Sequence, residues 1–168
     1  MAVGTYEEFA DYQQNVLNAI QDKFSYLVSE YNFHVEKAEA ENSWCIVCYE
    51  NADKSRKVSI NFDRKDLYIN QYTYQREEDG LYTEIHITDM LKQFGKDPKY
   101  QDPHQLYEML SVGYIDAESE NEFYLRVEEK MTLWAAIYRE AADKILKGDK
   151  YIPPKDTTPF WKQWLGID

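Results

Sequence analysis

Residues 57–74 read Lys-Val-Ser-Ile-Asn-Phe-Asp-Arg-Lys-Asp-Leu-Tyr-Ile-Asn-Gln-Tyr-Thr-Tyr. Val58, Ile60 and Phe62 occupy alternate positions, and after the polar break Asp63-Arg-Lys-Asp66 so do Leu67 and Ile69. Alternation with a period of two marks a half-buried strand. A connection this short and polar joins antiparallel neighbours, because parallel strands need a crossover of a dozen residues or more. This hairpin decides the fold class. Two further alternating stretches precede it, Phe33–Glu39 and Trp44–Glu50, separated by the polar segments 41–43 and 51–56. With Lys57–Phe62 and Leu67–Tyr74 they predict a four-stranded meander, to which Leu81–Ile87 adds a fifth strand at an edge.

Outside the sheet the period lengthens. Phe9, Tyr12, Val16, Ile20, Phe24, Leu27, Val28 and Tyr31 step by three and four, which predicts one amphipathic helix from Tyr6 to Tyr31. Thr5 and Glu8 have the spacing of a capping box, and Asn32 suits the left-handed residue that stops a helix. Thr88 to Phe94, ended by Gly95, and His104 to Leu110, introduced by Pro103, read as short helices. Phe123, Val127, Met131, Trp134, Tyr138, Ala141 and Ile145 predict a long helix over Asn121–Lys147 with Gly148 as its stop. An apolar tail, Tyr151-Ile-Pro-Pro and then Phe160-Trp-Lys-Gln-Trp-Leu165, is expected to fold back on the rest. The reading is a single α+β domain over residues 1–168. Its antiparallel meander of four to five strands packs against a long N-terminal helix and C-terminal helices.

Composition narrows the function classes. The 168 residues carry 31 acids against 19 bases, a net charge of -12, and 15 tyrosines. So much aromatic content argues against a disordered acidic tail. The negative surplus argues against nucleic acid, whose phosphates must be met by Lys or Arg. No apolar run approaches the roughly 20 residues of a membrane span, and the first residues lack the basic and apolar stretches of a secretory leader. A cytoplasmic protein is expected.

Chemistry-bearing patterns are sparse. Cys45 and Cys48 have C-x-x-C spacing, but a strand points residues three apart to opposite faces, so two buried structural thiols are expected rather than a redox or zinc pair. The glycines are too scattered to cradle a phosphate. Asp116-Ala-Glu-Ser-Glu-Asn-Glu122 lacks the ligand pattern and central glycine of a calcium loop, and fits instead the positive end of the helix that follows. No cofactor or metal is implied. One local pairing is compatible with proton transfer: alternation places His86 beside Glu84.

The charge is uneven along the chain. Residues 1–50 hold nine acids and two bases, 51–100 hold nine of each, and 101–168 hold thirteen acids and eight bases. Tyr68, Tyr72 and Tyr74 share a strand face opposite Leu67 and Ile69. Tyrosine offers large contact area with a polar tip, which suits an interface, and an acidic surface speeds encounter with a basic partner. The candidate partner-binding residues are therefore Tyr68, Tyr72, Tyr74, Glu118, Glu120 and Glu122.

Phe24-Ser-Tyr-Leu-Val-Ser-Glu-Tyr-Asn-Phe33 has the form F-x-x-L-x-x-x-Y-G-F with Asn32 in the glycine place. It is followed by Val47-Cys-Tyr-Glu-Asn51, Val58-Ser-Ile-Asn-Phe-Asp-Arg64 and Tyr138-Arg-Glu-Ala-Ala-Asp-Lys-Ile-Leu-Lys-Gly-Asp149. This succession, from about Phe24 to Asp149, resembles small bacterial proteins of the polymorphic-toxin immunity type. The resemblance carries no catalytic residue with it. It implies a non-enzymatic binding protein that neutralises a cognate toxin by direct contact, with a basic toxin domain as the electrostatic match. Two other readings stand beside it: an enzyme with a dispersed site near His86 and Glu84, and a self-associating module built on Phe160, Trp161 and Trp164.

Overall fold

Five strands pair in sequence order, β1 (Phe33–Glu41), β2 (Trp44–Asn51), β3 (Arg56–Asp63), β4 (Tyr68–Arg76) and β5 (Tyr82–Ile85), every neighbour antiparallel. The computed structural model describes residues 6–65, 67–94, 102–113 and 119–152. Helices α1 (Tyr6–Lys23) and α2 (Tyr26–Ser29) precede the sheet, and α3 (Ile87–Phe94), α4 (Pro103–Leu110) and α5 (Glu120–Leu146) follow it. The α+β meander with an N-terminal helix and C-terminal helices is thus the architecture. Among the described residues no helix is long and apolar enough to cross a membrane.

The expected first helix is broken in two. Phe24, Tyr26 and Leu27 are all buried, and three apolar side chains so closely spaced in sequence cannot share the stripe of a straight helix. The chain tightens instead: the Ser25 N–H bonds three residues back to Asp22, and Leu27 does the same to Phe24. Asn32 then takes φ 58°, the left-handed conformation expected of it. The proposed cap Thr5 lies outside the described residues.

Strand boundaries shift for local reasons. Leu67, expected to open a strand, sits at φ 53° in the turn, where its N–H bonds the carbonyl of Asp63. The Asp63 carboxylate also accepts from Lys65 N at 2.9 Å, so this turn closes on itself before β4 begins. β5 stops at Ile85 because the His86 carbonyl already accepts from Asp89 and Met90, which makes His86 rather than Thr88 the entry to α3. Thr88 is buried inside that helix, and Gly95 lies outside the described residues. Asp102 caps α4 through His104 N at 2.9 Å, with Pro103 in the first turn. Ser119 and Glu122 form a reciprocal capping box that starts α5 at Glu120, and Gly148 at φ 105° ends it.

The core lies between one face of the sheet and the helices. Cys45, Val47 and Tyr49 of β2, Val58, Ile60 and Phe62 of β3, and Ile69 of β4 are buried together with Val16 and Ile20 of α1 and Val127, Met131 and Trp134 of α5. Trp134 Nε1 donates to the Ile69 carbonyl at 3.0 Å, and the Phe62 and Phe123 rings meet at 6.4 Å. These contacts lock α5 to β3 and β4.

β4 contributes polar residues to the same core. Gln71 Nε2 donates to Thr73 Oγ1 at 2.5 Å, and Thr73 Oγ1 shares a 2.8 Å hydrogen bond with the buried Tyr138 hydroxyl. The Gln75 amide accepts from Tyr151 N at 2.8 Å and donates to Tyr151 O at 3.2 Å. Arg56, also buried, donates to the carbonyls of Ser55, Gly148 and Asp149. A cation at these carbonyls satisfies the C-terminal end of α5, where the helix dipole favours positive charge.

At the other end of the sheet, β1 forms an edge, and a bulge between Val35 and Lys37 interrupts its pairing with β2. Val35 and most of β1 are exposed. Along the free half of β4, Ser111 makes an isolated bridge to Tyr68, and Val112 N bonds the Leu67 carbonyl at 3.0 Å. This places α4 at that edge.

Candidate binding surface

Strand register identifies the outer face without reference to hydropathy. Residues directly opposite in an antiparallel pair share a face. Trp44, Asp63 and Tyr68 form one cross-strand row, and Ile46, Asn61 and Asn70 the next. Cys48, Ser59 and Tyr72 form a third, and Glu50, Lys57, Tyr74 and Glu84 a fourth. Burial alternates accordingly: in β4 the inner positions Ile69, Gln71, Thr73 and Gln75 are buried, while Tyr68, Tyr72 and Tyr74 are half-buried. The described helices that pack on the sheet do so on the inner face. Only α4 reaches the outer one, where Tyr107 stacks on Tyr68 at 5.0 Å and stays 52% exposed.

The result is a line of tyrosines along β4. Tyr72 and Tyr74 lie nearly parallel, with ring centroids 6.5 Å apart and planes 19° from coplanar. No described residue accepts a hydrogen bond from either hydroxyl. Burial first, then the neighbouring Tyr107, pushes the Tyr68 phenol up to about 12. Tyr74 is raised as well, by burial and next by the Glu84 carboxylate across from it. Tyr68 and Tyr74 are therefore neutral hydrogen-bonding phenols at ordinary pH.

Charge around the line is organised in two ways. The Glu50 carboxylate is inaccessible, held by Lys57 Nζ at 2.9 Å and more loosely by Lys54 at 3.8 Å. The Lys57 hydrogen bond keeps Glu50 below its usual value and raises Lys57 in turn. Asp63 and Glu84, beside Tyr68 and Tyr74, have no lysine or arginine partner among the described residues. Two carboxylates thus flank the two ends of the aromatic line.

The other residues expected at a site are placed elsewhere. Glu120 and Glu122 belong to α5, in the helix layer on the inner side of the sheet. Glu120 pairs with Arg64 at 2.5 Å, and Glu122 accepts from Ser119 N at 2.8 Å as half of the capping box. Glu118 lies outside the described residues, as do Phe160, Trp161 and Trp164. The tyrosines and the described α5 acids therefore do not form one patch. His86 Nδ1 stands 3.5 Å from Glu84 Oε1 at the end of β5, and both side chains are partly open to water.

The two cysteines diverge as strand geometry requires. Cys45 is buried against Gln13 O at 3.7 Å, and burial pushes its thiol up to about 12. Cys48 is only half-buried, on the outer face, with Sγ 3.7 Å from Ser59 Oγ. The expectation that both would be buried fails for Cys48, which lies on the outer face, where no described helix packs across the strands. Among the described residues no group of His, Cys, Asp and Glu side chains converges as a metal would need.

Comparison with protein-family models, with curated proteins and with solved structures gave no match.

One groove of about 720 Å³ opens on the helix side, between α5 and the residues Glu30 and Tyr31. Its charges are largely spent on one another. Arg139 pairs with Glu30, Lys147 holds Asp143 at 2.9 Å, and the Tyr31 hydroxyl donates to Asp143 at 2.6 Å. Lys147 first and Tyr31 second keep Asp143 low, while burial and that hydrogen bond push Tyr31 up to about 12. The groove is built as a surface ion-pair network, and the outer sheet face is the better candidate.

Proposed function

We propose that this protein is a non-enzymatic binding protein that engages a basic protein partner through the outer face of its sheet. One observation carries the reading: a half-exposed aromatic line, Tyr107, Tyr68, Tyr72 and Tyr74, on a sheet face that no described helix packs across. Ordinary folding leaves such surface polar or covers it, and two stacked tyrosine pairs on either side of Asn70, edged with charge, are the composition of an interface. The net charge of -12 supplies attraction for a basic partner over several ångströms. The resemblance to immunity proteins of polymorphic toxin systems narrows the partner to a basic toxin domain, neutralised by occlusion of its working surface in the cytoplasm.

The test is a titration of this chain against the purified product of the neighbouring gene, reading both affinity and residual toxicity. Tyr72→Lys with Tyr74→Lys is expected to abolish protection, while Glu120→Lys in the helix layer leaves it nearly intact. A neighbouring product that is neither bound nor inhibited would overturn the reading.

A further inference from the structure

We infer that the tyrosine line is a receptor for arginine side chains presented at alternate positions of an extended basic segment. The inference rests on the reading of this chain as a binder of a basic partner, and adds what that partner must present.

The molecule's own aromatic rings show the preference. Arg64 lies 5.0 Å from the Tyr12 ring and 5.4 Å from that of Phe123, Arg126 lies 5.5 Å from Phe123, and Arg139 lies 5.3 Å from Tyr26. Lys57 covers Tyr82 and Lys144 covers Phe94 at 5.1 and 5.5 Å. Over Tyr68, Tyr72, Tyr74 and Tyr107 no described cation lies. Their faces carry the same negative quadrupole, beside two carboxylates: Asp63, with no ion-pair partner among the described residues, and Glu84, whose described ion-pair partner is His86 at 3.5 Å. A planar guanidinium satisfies both features at once, stacking on the ring and forking onto the carboxylate, which a lysine ammonium cannot do.

Spacing selects the shape of the ligand. The rings of Tyr72 and Tyr74 repeat at 6.5 Å. An extended chain advances about 6.6 Å in two residues, so arginines two apart meet Tyr72 and Tyr74, and the arginine four residues from the Tyr72 one meets Tyr68 across Asn70. From Tyr68 to Tyr74 the line runs about 20 Å, the reach of a six-residue strand. A second copy of this chain is a poor occupant, since it brings -12 against -12. Nucleic acid is excluded by the same sign.

The experiment uses the full chain and three labelled twelve-residue peptides: alternating Arg-Ser, alternating Lys-Ser, and Arg at every third position with Ser between. Binding is followed by fluorescence anisotropy, and sedimentation reports the state of the protein alone. The alternating Arg peptide is expected to bind several-fold more tightly than either other peptide. Tyr72→Leu with Tyr74→Leu should weaken it about tenfold, whereas Tyr72→Phe with Tyr74→Phe keeps the rings and most of the affinity. An unchanged unfolding midpoint in the Leu pair shows that binding, not folding, was altered.

Equal affinity for the Arg and Lys peptides, or for the alternating and every-third spacings, would overturn the inference. So would a Leu pair that binds like the wild type, or self-association that the Leu pair removes. A basic partner protein neutralised equally by wild type and the Leu pair would overturn the tyrosine receptor but leave the binding function standing. Tyrosine-dependent capture of the Arg peptide by a chain that protects against no neighbouring product would do the reverse.

Discussion

On the inner face of the sheet Tyr138 closes a hydrogen-bond chain with Thr73 and Gln71, while on the outer face Tyr72 and Tyr74 touch each other and leave their hydroxyls to the solvent side. The same strand, β4, supplies both faces, and it does so against simple hydropathy. Its buried positions include two glutamines and a threonine, whereas its half-exposed positions carry three tyrosines. For Thr73 and Gln75 the helix side reconciles this, because α5 and the chain after it bring the Tyr138 hydroxyl and the Tyr151 backbone to them, while Gln71 bonds only Thr73 beside it on the strand. A buried polar group costs little once it is hydrogen-bonded. Burial of Thr73 and Gln75 thus follows from where partners are available.

The sharpest way to break the inner face is Trp134→Ala. Trp134 is 1% exposed and bonds the Ile69 carbonyl, so its removal leaves a cavity and an orphaned acceptor. A loss of about 3–5 kcal/mol is expected from denaturant unfolding. A loss below 1 kcal/mol would mean that α5 is not the main cover of the inner face. Tyr138→Phe probes the polar chain alone and should cost about 1 kcal/mol, with thermal unfolding as the check. The same change at Tyr72 should leave the midpoint unmoved, which is the contrast between the faces in one pair of measurements.

The smallest effect concerns the ion pair at the outer rim. Glu50 is held low by Lys57, so this pair stabilises above the ordinary carboxylate value and is lost as pH falls through the lower folded value. Lys57 is raised by the same hydrogen bond, so the contribution also fades as pH rises through its elevated value. Glu50→Gln should flatten the acid limb of the stability curve by less than about 1 kcal/mol while leaving neutral-pH binding of an arginine peptide in place. An unchanged acid limb would show that this carboxylate is not among those that drive acid unfolding.

Much of the architecture was legible before any coordinates. Alternation at Val58, Ile60 and Phe62, the short polar connections and the spacing of Phe123 to Ile145 specify strands, meander and long helix, because each is a local periodicity read against a water boundary. The break after Lys23 was not legible, since the apolar stripe runs straight through it and only tertiary packing forces the tightening. Gln71, Thr73, Gln75 and Arg56 carried no signal of burial at all. Thr73, Gln75 and Arg56 have partners dozens of residues away, and a polar side chain announces nothing about a distant acceptor. At the candidate site the shared face of Tyr68, Tyr72 and Tyr74 was readable from the period of two. What was not readable was that Glu120 and Glu122 lie in the helix layer, or that Tyr107 extends the line. A helix that lands on a strand edge through one ring leaves no pattern in sequence.

The bulge between Val35 and Lys37 has a consequence for how the protein keeps to itself in a crowded solution. β1 is a nine-residue strand at the edge of the sheet, and such an edge is a template for fibril growth. Here the ladder is interrupted near its start, and the remainder presents Glu36, Lys37, Glu39 and Glu41, a net negative row. A copy laid along it would lose register at the bulge and bring carboxylates against carboxylates. In a sheet whose outer face no described helix packs across, a bent and charged border works against copies joining edge to edge.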